Sequence, residues 1–332
     1  MRVLVTGGGG FLGQAIVRDL LARGHRVTSA SRSSYLELNK MGAQQVPLDL
    51  GDAEAVFDAL EGFEAVVHCA AKTGIWGPQA DYQRVNVDGT HHVVEACLRH
   101  GIERLVYTSS PSVCFDGKDH LDAKNDLPYP KRHLCAYAET KAAAERLALG
   151  ANKHAGLSTC ALRPHLIFGP GDPHLIPRLL ERGRARKLAK VGSGKNRVSM
   201  TFVENAAAAH GDALEALGPD ADHAGRAYFI AQKDSVNLWD WVDELFAALG
   251  LPPIKRRIPL FAARGLGALC ELFWNLTKRQ GEPPMTRFVA LQLATSHSYD
   301  LTPAERDFGY TERVSMQAAM QRTLADLDRD SP

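Results

Sequence analysis

The sequence lacks the features that mark disulfide-rich, nucleic-acid-binding or metal-binding proteins. It has only six cysteines in 332 residues, with no Cys-x-x-Cys pair, and several lie in apolar runs where a free thiol packs as a small hydrophobic group. The formal net charge of +1 provides no global field that would recruit nucleic acid. The thirteen histidines show no convincing metal-ligand spacing. We therefore expect a reduced protein with no metal site and no nucleic-acid partner.

The N-terminus has no charged, apolar and small-residue regions in succession, because "MRVLVTG" opens directly as a strand. We therefore expect a cytoplasmic protein. The basic stretch 178–197 is interpreted as a solvated helix and hairpin.

The first half of the chain contains a regular alternation of short β-rich runs and helical stretches. Strands are predicted at "RVLVTG", "HRVTSASR", "QQVPLDL", "EAVVHCAA", "RLVYTSS" and "STCALRP". Continuous apolar runs are typical of strands buried on both faces, and helices between such strands indicate βαβ units. The pattern predicts an α/β fold with a doubly wound parallel sheet of the Rossmann type.

A cluster of glycine and proline in "FGPGDPH" marks a boundary near Pro164. We predict a dinucleotide-binding domain over residues 1–164 and a smaller, mixed substrate-binding region over 165–332. The run "RAYFIAQ", 226–232, is expected to return to the sheet as a strand, so the second region is not expected to be independent.

The loop "VTGGGGFLGQ" joins the first strand to the first helix and holds Gly7, Gly10 and Gly13 at G-x-x-G-x-x-G spacing. Glycine permits a tight turn and close approach to a pyrophosphate, which the N–H groups at the start of the helix can bind. The strand before and the helix after supply the context that this motif requires. The sequence therefore predicts a dinucleotide site, with Phe11 and Leu12 among its contacts.

The second strand ends in "SASRSS", with Ser31 and Arg32 where proteins that bind NAD usually have an acidic residue. An arginine fork suits a 2′-phosphate, so NADP(H) is favoured over mixed cofactor use with a surface arginine. Asp49 and Leu50 follow the third strand. Asp49 is predicted to contact the adenine, with a cap or turn role as the alternative.

The stretch "CAYAETKAAAER" places Tyr137 and Lys141 on one face of a helix. A phenol has a pKa near 10, and a neighbouring ammonium is expected to lower it, so the pair predicts a general acid/base. Serines in "YTSS" end the fifth strand at the binding crevice, where one is expected to bind a substrate carbonyl oxygen.

These pieces, together with "HCAA", "NVDGT" and "LRPHLIFGPGD", resemble the extended short-chain dehydrogenase/reductase family over nearly the full length. The resemblance implies that Tyr137 transfers the proton and that Lys141 positions the ribose and tunes the tyrosine. The family's serine aligns best with Ser110, although the longer "VCFDG" favours Ser112 when counted from the following glycine. Asn86 is implied as a supporting residue. Further cofactor contacts are implied for Ala70, Ala71, Pro164 and His165.

Within that family, "LVYTSSPSVCFDG", "AAKTGIWGP" and "GEPPMTRFVA" resemble the 3β-hydroxysteroid dehydrogenase branch, and most closely its bacterial 2-alkyl-3-oxoalkanoate reductases. This implies NADPH-dependent reduction of a long-chain 2-alkyl-3-oxoalkanoic acid in olefin biosynthesis, a homodimer, and association with other enzymes of that pathway. The alternatives are an NAD(P)-dependent 3β-hydroxysteroid or sterol-4α-carboxylate 3-dehydrogenase, and a non-catalytic NADP-binding sensor or scaffold.

The segment 259–276, "PLFAARGLGALCELFWNL", predicts an amphipathic helix with apolar residues at 262, 266, 269, 273 and 276. Arg264, Glu271 and Asn275 share the opposite stripe. The helix is interpreted as a lid over an apolar substrate, a peripheral membrane contact or a core-packing element, and its charges argue against a membrane span. Lys72 is a candidate for binding a substrate carboxylate, with a solvated or cofactor-facing lysine as the alternative.

Overall fold

The computed structural model describes residues 1–329, so positions 330–332 of the predicted second region lie outside the described residues. The strands are β1 (Arg2–Thr6), β2 (Arg26–Ser31), β3 (Gln44–Pro47), β4 (Ala65–His68), β5 (Arg104–Thr108), β6 (His120–Ala123), β7 (Ser158–Pro164), β8 (Ile167–Phe168), β9 (Lys190–Val191), β10 (Arg197–Val198), β11 (Thr201–Phe202), β12 (Arg226–Ile230), β13 (Val236–Asn237), β14 (Arg257–Ile258) and β15 (His297–Tyr299).

The α-helices are α1 (Phe11–Ala22), α2 (Leu36–Met41), α3 (Ala53–Ala59), α4 (Gln79–Tyr82), α5 (Gly89–His100), α6 (Ala136–Gly150), α7 (Leu175–Arg184), α8 (Val203–Ala216), α9 (Leu238–Ala248), α10 (Leu260–Thr277), α11 (Arg287–Gln292), α12 (Thr302–Phe308) and α13 (Met316–Arg329). A π-helical turn, Gln83–Asp88, joins α4 to α5.

The main sheet of the described chain has seven strands in the order β12-β7-β5-β4-β1-β2-β3. Every neighbouring pair in it is parallel. Its central strands are buried on both faces, with Leu4, Val66 and Val106 fully inaccessible. These apolar strands are buried because helices cover both faces of the sheet. The predicted doubly wound parallel fold is confirmed.

The chain beyond Pro164 is built into the same core. Strand β12 pairs in parallel with β7 from Arg226 opposite Cys160 to Ile230 opposite Pro164. Helix α8 packs against α1. A smaller sheet has the strand order β13-β10-β15-β6, so β6 from the first half of the chain pairs with a strand from the second half. The division into residues 1–164 and 165–332 stays a prediction about organisation.

The parallel arrangement brings the predicted site residues to one edge of the sheet. Strand β1 ends at Thr6 before the glycine loop, β4 at His68, β5 at Thr108 and β7 at Pro164. Because the carboxyl ends of parallel strands lie together, the loops that follow them surround one crevice.

Helix α10 packs on the protein through a narrow stripe formed by Ala263, Gly267 and Glu271. A Cβ at Gly267 would lie 2.6 Å from the backbone carbon of Thr286, so glycine permits the close approach. Glu271 accepts hydrogen bonds from the Nε of Arg287 at 2.6 Å and from its backbone N–H at 2.7 Å. The side that packs is thus the one that carries Glu271, and the apolar stripe faces solvent.

Helix α10 therefore packs on the core, as one of the three interpretations has it, but not through its apolar stripe. The contact depends on small residues and an ion pair, which a pattern of hydrophobic spacing does not reveal. Within residues 1–329, no helix combines the length and hydropathy that crossing a bilayer would require.

Candidate active site

Two adjoining cavities lie at the carboxyl edge of the main sheet. The larger, about 1060 Å³, extends over the glycine loop. The smaller, about 740 Å³, lies between the ends of β5 and β7 and helices α7 and α11. The residues that line both cavities are Thr73, Ser110, Tyr137, Pro164, Leu166 and His174. The predicted proton donor and the predicted serine therefore lie at the junction.

The glycine loop forms a cradle that side chains would fill. Gly7 has a φ of 70°, and a Cβ there would lie 2.7 Å from the Cα of Ala70. A Cβ at Gly13 would lie 2.1 Å from the carbonyl oxygen of Gly7. Helix α1 begins at Phe11, directly after Gly10, so the N–H groups of its first turn have no partner within the helix. This geometry suits a dinucleotide pyrophosphate. The predicted loop contacts all line the larger cavity: Gly7, Gly10, Phe11, Leu12 and Gly13.

Ser31, Arg32, Asp49 and Leu50 line the same cavity at its other end, as do Ala70 and Ala71 nearer the loop. The Ser31 hydroxyl accepts a hydrogen bond from the backbone N–H of Gly9 at 3.2 Å, so it also supports the loop.

The carboxylate of Asp49 accepts from the backbone N–H of Gly51 at 2.9 Å and from Arg84 at 3.1 Å. The Gly51 bond, aided by Arg84 and Arg32, holds the pKa of Asp49 below its usual value. Asp49 therefore stabilises a turn and fixes Arg84 at the cavity. The sequence analysis missed Arg84, because no local spacing links it to a residue 35 positions away.

Lys141 is buried, and its Nζ donates to the backbone carbonyl of Thr108 at 2.6 Å. The same atom lies 4.1 Å from the centroid of the Tyr107 ring. Burial lowers the pKa of Lys141 to about 7. Helix α6 is thus attached at this point to the end of strand β5.

Tyr137 shows the opposite of the expected shift. Burial raises its pKa to about 12, and a hydrogen bond with Ser110 acts in the other direction without offsetting it. The expectation that Lys141 lowers the pKa of this phenol is wrong, because desolvation dominates and the Lys141 Nζ is directed to the carbonyl of Thr108. The phenol is held in its protonated form, the form that can donate.

Both candidate serines lie at the site. The Ser112 hydroxyl donates to the Ser110 oxygen at 3.0 Å, and the Ser112 backbone N–H lies 3.3 Å from it. Ser110 therefore accepts from Ser112, and its own proton is the one it can donate toward Tyr137 or a bound carbonyl. Ser110 lines both cavities, whereas Ser112 lines only the smaller one.

Asn86 lies in the π-helical turn, a distortion that frequently occurs at functional sites. Its side chain accepts from the N–H of Lys72 at 2.7 Å and donates to the carbonyl of Lys72 and to Thr140, both at 3.1 Å. It thereby joins the loop after β4 to helix α6. The Lys72 ammonium pairs with Asp81 at 3.5 Å and lines the larger cavity only.

Pro164 lines both cavities, whereas His165 lines only the smaller one. The Nδ1–H of His165 donates to the carbonyl of Ser199 at 2.6 Å. Burial lowers the pKa of His165 to about 4, so its imidazole is neutral at the wall of this cavity.

The remaining wall of the smaller cavity comes from distant segments that the sequence analysis did not assign to the site. The stretch 178–197, interpreted as a solvated basic helix and hairpin, contributes Arg178 to this wall. In the described part of the chain, no residue of α10 lines the cavity, so no contact supports the interpretation of α10 as a lid. The missed residues are Arg178, Glu181, Glu282, Phe288, Gln292 and Tyr299. Among residues 1–329, no three histidine, cysteine, aspartate or glutamate side chains form a metal-binding group.

Comparison with known proteins places this geometry in a family. Residues 4–260 match the profile of the 3-beta hydroxysteroid dehydrogenase/isomerase family. The chain is 48% identical over 327 residues to the 2-alkyl-3-oxoalkanoate reductase of Stenotrophomonas maltophilia, covering 98% of this chain and 99% of that protein. It is 36% identical over 330 residues to human sterol-4-alpha-carboxylate 3-dehydrogenase, decarboxylating, covering 97% and 87%.

Among solved structures, MoeE5 in complex with UDP-glucose and NAD is similar, with 26% identity, 99% of each chain covered and a TM-score of 0.76. The fold is also that of DesIV, a dTDP-glucose 4,6-dehydratase with NAD bound, at 23% identity and a TM-score of 0.77. The two sequence relatives are oxidoreductases by name. The chain is therefore an oxidoreductase that belongs to the 3-beta hydroxysteroid dehydrogenase/isomerase family.

Proposed function

We propose that this protein reduces the 3-keto group of a long-chain 2-alkyl-3-oxoalkanoic acid to a hydroxyl, with NADPH as the reductant. The observation that supports this most strongly is the position of Ser110 and Tyr137 at the junction of the two cavities. A ketone bound in the smaller cavity presents its carbonyl there, beside a cofactor bound in the larger one. The relative from Stenotrophomonas maltophilia, named for this reaction, shares 48% of its aligned residues with the chain.

The larger cavity fits a nicotinamide dinucleotide through its glycine cradle and the N-terminus of α1. NADP(H) is favoured because Arg32 and Arg84 both line the adenosine end and β2 ends without a carboxylate. Asp49, which lines the same cavity, is already paired with Arg84. When bound, the reduced cofactor supplies a hydride.

The protein supplies the proton and the electrostatic environment. The Ser110 hydroxyl donates to the substrate carbonyl oxygen and polarises it. Tyr137, protonated because burial raises its pKa, transfers its proton to that oxygen as negative charge develops. A phenolate remains, and Lys141, fixed one helical turn away, stabilises it when charged.

Two alternatives remain testable. A sterol-carboxylate dehydrogenase is favoured by the human relative, and such an activity would use the same residues in the oxidative direction. A non-catalytic sensor has less support, because Ser110, Tyr137 and Lys141 all line the larger cavity. The homodimer and the association with other olefin-biosynthesis enzymes stay predictions.

The deciding experiment uses NADP⁺ and a racemic long-chain 2-alkyl-3-hydroxy acid and follows nicotinamide absorbance. A 3β-hydroxysteroid with NAD⁺ runs in parallel, and Tyr137→Phe serves as the catalytic control. Turnover of the hydroxy acid that disappears in the variant supports the proposal. Turnover of the steroid alone overturns the substrate assignment and retains the site.

A further inference from the structure

The smaller cavity has one cationic side chain that is suited to holding an acid. Among its lining residues in the described chain, Arg178 of α7 is the sole lysine or arginine. Its guanidinium forms an ion pair with Glu282, and the other carboxylate oxygen of Glu282 accepts from the backbone N–H of Ile75 at 3.0 Å. Glu282 therefore links α7 to the loop after β4, across the cavity wall.

In the described residues, the other walls offer a carboxylate hydroxyl, amide and imidazole groups and, at Glu181, a like charge, but no second lysine or arginine. Phe288 is buried, and His165 is neutral because burial lowers its pKa to about 4. Lys72, the candidate from sequence, lines the other cavity and pairs with Asp81. An acid that places its ketone at Tyr137 thus meets one guanidinium, and that guanidinium is already paired with Glu282.

We propose that Arg178 binds the substrate carboxylate and that Glu282 occupies this position until the substrate displaces it. This inference rests on the proposed function. A guanidinium presents parallel N–H donors that match a carboxylate, so one acid can replace another without rearrangement. The side chains of Arg178 and Glu282 are 48% and 25% exposed, and pairs that are open to solvent are held weakly enough to exchange.

Binding of the substrate carboxylate by Arg178 would let the enzyme distinguish the acid from a neutral ketone. A β-keto acid that loses carbon dioxide becomes a neutral ketone with the same alkyl chains. An enzyme that selects only by apolar contact binds both, whereas Arg178 favours the acid. The carboxylate is not altered by the reaction, so this contact affects binding of substrate and product alike and appears mainly in KM.

The test compares the 2-alkyl-3-hydroxy acid with its methyl ester, using NADP⁺, in wild type and in Arg178→Ala, Arg178→Lys and Glu282→Gln. We expect Arg178→Ala to raise KM for the acid by roughly 10- to 100-fold, with the ester unaffected. Lysine is expected to restore part of the loss, and Glu282→Gln to lower KM for the acid by removing the competing charge.

Arg182→Ala is the matched control. It lies one turn further along α7, donates to the carbonyl of Pro284 at 3.0 Å and does not line the cavity. An unchanged preference for acid over ester in Arg178→Ala overturns the inference while the proposed function stands. Failure of wild type to oxidise either compound overturns the proposed function and the inference with it.

A second, independent observation concerns the outward side of α10. Its large apolar residues are between 48% and 78% exposed, and we name them the apolar face of α10: Phe261, Leu266, Leu269, Leu272, Phe273 and Leu276. Contiguous exposed apolar surface of this kind marks an interaction site in a globular protein.

Cationic residues flank this helix in the sequence. Lys255, Arg256 and Arg257 precede the helix, and Lys278 and Arg279 follow it. Strand β14, which begins at Arg257, pairs with β9 in the stretch 178–197, which has eight lysines and arginines and one acid. A second copy of the chain would bring like charges together across a two-fold contact. An anionic lipid surface complements both the apolar face of α10 and these flanking lysines and arginines.

We infer that the apolar face of α10 binds the surface of an anionic phospholipid bilayer. The helix leads through the segment 278–286 to Glu282 and to Phe288, which line the smaller cavity. The contact therefore lies beside the cavity that receives an alkyl chain.

Co-sedimentation with vesicles tests this directly. We expect wild type to bind vesicles of phosphatidylcholine with phosphatidylglycerol more strongly than phosphatidylcholine alone, and salt to weaken binding. The double variant Leu269→Glu/Phe273→Glu is expected to lose binding. Leu36→Glu is the control, because Leu36 is 76% exposed on α2 in a different part of the molecule. Absence of vesicle binding, or a dimer in sedimentation velocity that the double variant abolishes, overturns the inference.

Discussion

Glu145 and Arg163 form a buried bidentate ion pair beneath the site, with N–O distances of 2.6 and 2.9 Å. Glu145 lies one turn after Lys141 on α6, and Arg163 immediately precedes Pro164 on β7. Tyr129 also donates to the carboxylate, at 2.6 Å. Burial acts to raise the pKa of Glu145, but the charge and hydrogen bonds of Arg163, together with hydrogen bonds from Ser109 and Tyr129, hold the pKa below its usual value. The pair attaches the catalytic helix to the sheet.

We expect Glu145→Gln to lower the free energy of unfolding by about 3–5 kcal/mol, because it leaves Arg163 buried without a counter-charge. Urea unfolding followed by circular dichroism measures the change. Glu139→Gln, an exposed position on the same helix, is expected to have little effect. Equal stability of the two variants would contradict the structural role of the pair.

Substitution of Ser110 and of Ser112 is expected to lower activity to different extents. Ser110→Ala is expected to lower kcat by about 100-fold or more, because it removes a donor to the developing oxyanion. Ser112→Ala is expected to cost less than about 10-fold, since Ser112 acts through Ser110 at 3.0 Å. Steady-state kinetics with a ketone substrate measure both. A larger loss in Ser112→Ala would transfer the direct role to that residue.

Arg32 is expected to decide between the two cofactors. Arg32→Ala should weaken NADPH binding by roughly 10- to 100-fold and leave NADH binding nearly unchanged, because only NADPH has a 2′-phosphate. Isothermal titration gives both dissociation constants. Arg84→Ala shows whether the arginine held by Asp49 contributes to the same preference. A clear preference of wild type for NADH would reject the NADP assignment.

Because several histidines are buried in their neutral form, the free energy of unfolding is expected to fall at acidic pH. Burial lowers the pKa of His68 to about 3 and of His165 and His210 to about 4. The unfolded chain therefore binds more protons than the native state between pH 4 and 6.5, and stability falls as pH decreases through that range. Each group contributes up to about 1.4 kcal/mol per pH unit.

Urea unfolding at several pH values measures this slope. His210→Gln is expected to reduce the pH dependence of the free energy of unfolding by the contribution of one histidine. His154→Gln, at an exposed position, should leave that dependence unchanged. A stability that is constant between pH 7 and pH 5 would show that these imidazoles accept protons without unfolding.

The parts of the fold and site that follow from local pattern were predictable. Apolar runs give the strands, glycine spacing gives the loop, and the separation of Tyr137 and Lys141 gives their common face. The side on which α10 packs was not predictable, because it depends on Glu271 meeting Arg287 from another helix. The ion pair of Arg178 with Glu282 joins residues 104 positions apart, and no periodicity encodes it. The pKa of Tyr137 likewise depends on burial that only the assembled cavity creates.

Strand β12 has a consequence for how the chain can be divided. All seven residues of β7 are buried, and β12 forms hydrogen bonds along the outer side of β7 from Cys160 to Pro164. A fragment that ends at Pro164 would expose this long apolar strand as an open edge, which invites pairing between molecules. During synthesis the same edge stays open until the chain has been made through Ile230, so early folding intermediates depend on protection from aggregation.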